Sequence, residues 1–126
     1  MINDVRKINK KNTKLETLIK LSDIISININ HMSKKKILTK QKLSLCKKDN
    51  LIINTSRSEV MDNKYLYKLL KAGKILGACM DVYDQEPYYG EFTKLDNVIL
   101  TPHIGSYSKE IRYEMEKEAF NSILNI

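Results

Sequence analysis

Four short apolar runs, at residues 23–29, 51–54, 75–82 and 97–100, constrain the fold more than any other feature of this chain. Each is too short for an ordinary helix, and their β-branched content suits strands. Apolar runs without polar alternation belong to parallel strands covered on both faces. Helical segments separate the first three. Leu15, Leu18 and Ile19 recur at helical spacing behind Thr13 and Glu16, which have the order of a capping box. Thr39 opens a short helix through Leu43 and Leu45, ending near residues 47–50. Asp62 is a good N-cap for a helix carrying Tyr65, Leu66, Leu69 and Leu70, and Gly73 suits the left-handed position that closes it. After the fourth run, Ser108 caps a final helix on which Ile111, Met115, Ala119, Phe120 and Ile123 form one apolar stripe. The expectation is an α/β fold: about four parallel strands joined by right-handed crossovers, with flanking helices and a long C-terminal helix.

With 126 residues, 42% of them hydrophobic, the chain suits one domain with a single core. No apolar run approaches the roughly 18 residues needed to span a bilayer. The N-terminus lacks the basic-then-apolar layout of a signal peptide, so the expected location is the cytoplasm. Cys46, expected in a helix, and Cys79, expected in a strand, have no CxxC spacing and no clustered histidines beside them, which predicts reduced thiols and no metal. The net charge of +7 raises the question of nucleic acid. Lysines are scattered along the chain, however, with the densest run at residues 34–36. Arginine is scarce and no aromatic-lysine interleaving suggests base stacking, so the charge reads as a solvated surface. His31, beside the lysine run, reads as a solvated loop residue.

Parallel strands place their C-terminal ends along one edge of the sheet, and the residues that follow each strand meet there. Arg57 follows the second run, Asp81 and Glu86 the third, and His103 the fourth. Arginine offers a planar fork that grips a carboxylate with two charge-assisted bonds. Histidine, with an ordinary pKa of about 6.5, can take a hydroxyl proton and return it. A glutamate on the far ring nitrogen would fix the tautomer and favour the protonated ring. Taken singly, each has an ordinary structural reading as a turn residue, a surface charge or a strand exit.

Together, Asn54-Thr55-Ser56-Arg57, the segment from Gly77 to Pro87 and Thr101-Pro102-His103-Ile104-Gly105 resemble, in order and spacing, the D-isomer-specific 2-hydroxyacid dehydrogenases, the family that includes D-3-phosphoglycerate dehydrogenase. The likeness runs from near Leu15 almost to the C-terminus. It implies a partial Rossmann-like sheet, the second half of an NAD-binding domain, and a small 2-hydroxyacid or 2-oxoacid as substrate. It implies that Arg57 binds the substrate carboxylate, that Glu86 pairs with the catalytic histidine, and that His103 is the acid/base. For the cofactor NAD, it implies that Asp81 contacts the nicotinamide side, with Thr55 and Ser56, next to Arg57, beside the dinucleotide. Two departures stand out. Where the family has Arg-Gly, this chain has Arg57-Ser58, so serine must adopt a conformation easy for glycine or abandon it. Where the family shows His-x-Pro after the first of these strands, this chain has Asn28-Ile29-Asn30.

The four glycines are Gly73, Gly77, Gly90 and Gly105, so the chain contains no G-x-G-x-x-G phosphate loop. The expectation is a single truncated domain over residues 1–126, without its phosphate-binding half and without a substrate domain. The strand at residues 24–29 would then be an exposed apolar edge inviting a complementing polypeptide or a second copy of the chain. Two functions follow: a dehydrogenase fragment that turns over only when completed, or a non-catalytic remnant or interaction module that retains the fold.

Overall fold

The computed structural model describes residues 1–3, 12–29 and 36–124. His31, Lys34, Lys35 and Asn30 lie outside the described residues, and Lys36 is exposed. The elements run α1 (Leu15–Leu21), β1 (Ile24–Ile27), α2 (Lys40–Leu43), β2 (Leu51–Asn54), α3 (Asn63–Lys71), β3 (Gly77–Met80), β4 (Val98–Leu100) and α4 (Lys109–Leu124). Single 3-10 turns at Ser58–Val60 and Glu91–Lys94 follow β2 and precede β4. The strands form one parallel sheet in the order β1-β2-β3-β4. Every C-terminal end therefore falls on one edge, as the apolar runs predict.

The strand register explains the core. Ile25, Ile52, Ala78 and Val98 stand abreast, as do Ile27, Asn54, Met80 and Leu100. These rows pack with Ile19 of α1, Leu43 of α2, and Leu66 and Leu70 of α3 in one cluster. The other face differs from the expected two-sided cover. Its row Ser26, Ile53, Cys79 and Ile99 ends in a residue 66% exposed, and Ile24 on the same face is 60% exposed. Among the described residues, only one face of the sheet is buried under helices. β1 pairs with β2 alone, so its outer edge is unpaired by any described strand.

Local signals fared unevenly. Asp62 caps α3 by accepting the Tyr65 N–H at 3.1 Å, and Gly73 closes it at φ 60°. Ser108 accepts the Ile111 N–H at 3.2 Å at the start of α4. The Thr13–Glu16 capping box does not form: the N-cap position belongs to Lys14, and the Thr13 N–H donates instead to the Ile2 carbonyl at 2.8 Å. Thr39 holds the N-cap position of α2 without a side-chain bond, and the helix is four residues long, leaving Cys46 in the turn beyond it. Cys46 and Cys79 are both free thiols. No residue of α4 is buried, so its apolar residues rest on no described partner. Nor is the stripe clean. At 100° per residue Arg112 and Glu116 fall within its arc, where they form an ion pair at 3.9 Å. In β3, the Gly77 backbone approaches β4 so closely that a Cβ there would lie 2.7 Å from the Asn97 carbonyl oxygen.

Candidate active site

The site begins with a buried asparagine. Asn54, the last residue of β2, is fully buried; its Nδ2 donates to the Arg57 carbonyl at 3.0 Å, and its Oδ1 accepts the Ser56 N–H at 3.1 Å. These two bonds close the turn and bring Arg57 out to solvent in extended conformation. One guanidinium nitrogen of Arg57 donates to the Ser56 carbonyl at 2.7 Å, and the side chain forms no ion pair with any described residue. The rest of the fork is available to an anion. Thr55 is exposed at the strand end. Ser56 is buried, and its hydroxyl donates to the Ile29 carbonyl, tying the end of β2 to the end of β1.

Across the edge, His103 and Glu86 form a pair. His103 Nδ1 lies 2.9 Å from Glu86 Oε2 and 3.0 Å from Oε1, and Oε1 also accepts the Tyr83 N–H at 3.1 Å. With Nδ1–H directed at a carboxylate, Nε2 is left as the ring atom for proton exchange. The His103 bond is the main reason that the Glu86 carboxyl lies below its ordinary range; partial desolvation opposes it, and the Tyr83 N–H and the histidine's charge assist. Both side chains keep about two-fifths of their surface open to solvent, 45% for His103 and 39% for Glu86. Arg57, Glu86 and His103 line one concavity of about 300 Å³, together with Ser58, Val82 and Asp84.

Asp81 is the scaffold beneath this pair. It is 4% exposed, and its carboxylate accepts the Thr101 hydroxyl, the Ile104 N–H at 2.9 Å and the Gly105 N–H at 2.9 Å. All three donors belong to the segment that carries His103. Burial is the largest single influence on this carboxyl and resists ionisation. The three hydrogen bonds and the nearby His103 outweigh it, leaving Asp81 below the usual carboxylate range. His103 itself sits at φ 55°, the only positive φ of a non-glycine residue among the described residues. That conformation costs about 1–2 kcal/mol for an ordinary side chain and persists where its surroundings over-determine it. Bonds to Thr101 on one side and to Ile104 and Gly105 on the other supply that constraint.

Sequence reasoning placed Arg57, Glu86 and His103 at one edge, and there the structure brings them together. It overlooked Asn54, Tyr83 and Thr101, which hold them in place. The Tyr83 hydroxyl is 2.8 Å from both the Met80 and Thr101 carbonyls, and burial is the main cause of its raised pKa. Asn54 carried a readable signal, since it is the polar residue that ends an otherwise apolar strand. The Arg57-Ser58 departure is also settled: Ser58 opens the 3-10 turn without positive φ, so no glycine-like conformation is needed.

Residues 2–105 match the family model for the D-isomer specific 2-hydroxyacid dehydrogenase NAD binding domain. The chain belongs to this family. It is 46% identical over 103 residues to a glyoxylate reductase of Thermococcus litoralis, covering 79% of this chain and 31% of that protein. It is 38% identical over 122 residues to a glyoxylate reductase of Thermofilum pendens, covering 94% of this chain and 36% of that one. Among solved structures, an acyclic imino acid reductase in complex with NADPH and D-Arg superposes with a TM-score of 0.83 at 34% identity, over 97% of this chain and 42% of that one. A D-lactate dehydrogenase from Aquifex aeolicus complexed with NAD and lactic acid superposes with a TM-score of 0.82 at 26% identity, over 96% and 44%. The chain thus spans about a third of the length of the curated relatives it matches. Among the described residues, no helix is long and apolar enough to cross a membrane, and no cluster of candidate ligands could hold a metal ion.

Proposed function

We propose that this chain supplies the acid/base and carboxylate-binding half of an NAD-dependent 2-hydroxyacid dehydrogenase, and that it acts only when a dinucleotide phosphate cradle comes from residues outside these 126. The pairing of His103 Nδ1 with Glu86 at 2.9 Å, in the same concavity as the Arg57 guanidinium, which has no ion-pair partner among the described residues, carries the reading. In the oxidative direction His103 Nε2 takes the proton of the substrate hydroxyl; in the reductive direction it returns that proton to the forming alkoxide. Glu86 holds the imidazole in the orientation and tautomer that leave Nε2 free. Arg57 fixes the substrate by its carboxylate, which orients the reacting carbon. Bound NAD would supply the hydride acceptor, with Asp81 toward its nicotinamide side and Thr55 and Ser56 beside the dinucleotide. The pyrophosphate does not fit this chain, because no three glycines are spaced to cradle it. The substrate class is a small 2-hydroxyacid or 2-oxoacid.

Among the described residues, one face of the sheet is uncovered and the outer edge of β1 is unpaired, which supports the need for a complement. Parallel sheets are stable when both faces are covered, and Ile24 and Ile99 stand 60% and 66% exposed here. A complementing segment or a second copy would bury both. The same surfaces, with α4 unburied among the described residues, favour a second reading, an interaction module without turnover. Titration of NADH with the purified chain, read by nicotinamide fluorescence, tests the main proposal. We expect no saturable binding in the micromolar range by the chain alone. Saturable micromolar binding would overturn the requirement for an external phosphate cradle.

A further inference from the structure

The serine that replaces the family's glycine after Arg57 makes bonds that glycine cannot. Ser58 is 3% exposed, and its hydroxyl donates to Asp84 Oδ1 at 2.7 Å. Asn63, the first residue of α3, donates from Nδ2 to Ser58 Oγ at 2.7 Å and to the Ser58 carbonyl at 3.3 Å. The same amide approaches the two Asp84 oxygens at 3.3 and 3.4 Å. Three segments meet in this cluster: the turn that presents Arg57, the start of α3, and the loop of residues 82–86 that presents Glu86. Ser58 and Asp84 also line the concavity shared by Arg57, Glu86 and His103.

We propose that Ser58 and Asp84 are positioning residues that clasp the Arg57 turn to the Glu86 loop and so hold the carboxylate-binding fork in register with the Glu86–His103 pair. The inference rests on the roles proposed above for Arg57, Glu86 and His103. Ser58 adjoins Arg57 directly, while Asp84 lies two residues before Glu86. A hydroxyl-carboxylate bond is charge-assisted and short, and it suits a link between two loops that share no strand pairing. On the other side of the same loop, the Tyr83 hydroxyl anchors it to the Met80 and Thr101 carbonyls, and the Tyr83 N–H braces Glu86 within it. The clasp and these anchors together leave the loop little freedom to carry Glu86 away from His103.

The test is a double-variant cycle, Ser58→Ala, Asp84→Ala and both together, on the intact chain. Carboxyl 13C titration of Glu86 and hydrogen exchange of the Tyr83 amide are followed. If the clasp positions the loop, each single variant raises the Glu86 midpoint toward the ordinary value of about 4.3. Each also speeds Tyr83 exchange, and the double variant goes no further than either single one. Loss of a nearby negative charge on its own would move the midpoint the other way, so the sign separates positioning from electrostatics. Asp84→Asn keeps an accepting oxygen and should exchange at Tyr83 like the parent. Should Ser58→Ala fail to fold, the comparison of Asp84→Ala with Asp84→Asn, at an exposed position, decides the matter alone. An unchanged Glu86 midpoint and Tyr83 exchange rate, or additive effects of the two substitutions, would overturn the clasp. Neither readout needs turnover. An intact clasp in a chain that never supports hydride transfer would sink the functional reading and leave this inference standing.

Discussion

Replacing Asp81 by alanine removes the acceptor for three donors at once, and the structure allows the cost to be worked out. Hydrogen bonds to a charged group are worth about 1.5–3 kcal/mol each when buried. Ile104 and Gly105 are exposed, so water can take over two of the three, and Thr101 is half-buried. Taking about 1 kcal/mol for each of the three bonds gives a loss of roughly 3 kcal/mol. A chain of this size shifts its midpoint by about 3–5 °C per kcal/mol, so the expected fall in Tm is on the order of 10 °C. The loss should be local as well as global. Without the three bonds, His103 has less reason to remain at φ 55° and should relax away from Glu86. Thermal unfolding by circular dichroism measures the first effect, and 15N shifts of the imidazole measure the second. The pH dependence follows in sign. Asp81 ionises more readily folded than unfolded, so its stabilisation is complete above its unfolded pKa of about 3.9 and is lost as pH falls through its lower folded value. Asp81→Ala should therefore narrow the gap with the parent protein as the solution is acidified below pH of about 4. An unchanged Tm with an intact His103–Glu86 pair would refute the scaffold role.

Other consequences are simpler to state. Gly77→Ala should destabilise the sheet by about 2–3 kcal/mol in denaturant unfolding, because its Cβ would meet the Asn97 carbonyl at 2.7 Å and backbone cannot step aside cheaply. Gly73→Ala, at φ 60° in open space, should cost only about 1 kcal/mol by the same assay. Burial pushes the Cys46 thiol up to about 11, so iodoacetamide at neutral pH should label it far more slowly in the folded chain than in urea. Equal labelling rates would contradict the burial.

The strands and the chemical edge were legible because both follow from one-dimensional patterns. Apolar runs mark strands, and a polar residue after each run falls at the shared C-terminal edge once the strands are parallel. Arg57, Asp81 and His103 illustrate how little more was needed. What the sequence hid depends on contacts between distant segments. Ser58 and Asp84 are 26 residues apart and adjoin only because β2 and β3 pair. The capping box at Thr13 lost to a backbone bond with Ile2, a competitor that no local pattern contains. The expected two-sided cover of the sheet is not met among the described residues for a different reason: unbroken apolar strands describe the surface a sheet presents, and they do not say where the helices that bury it come from. The stripe on α4 is the same case on a helix.

On the function proposed above, His103 performs acid/base chemistry in a site completed from outside these residues. This role is tested most directly by combining the chain with a polypeptide bearing a G-x-G-x-x-G half and a substrate domain, and following NADH oxidation with glyoxylate. We expect no oxidation by either component alone, turnover by the combination, and a loss of at least about 100-fold in kcat on His103→Ala, with NADH binding retained. Turnover that survives His103→Ala undiminished would contradict that role.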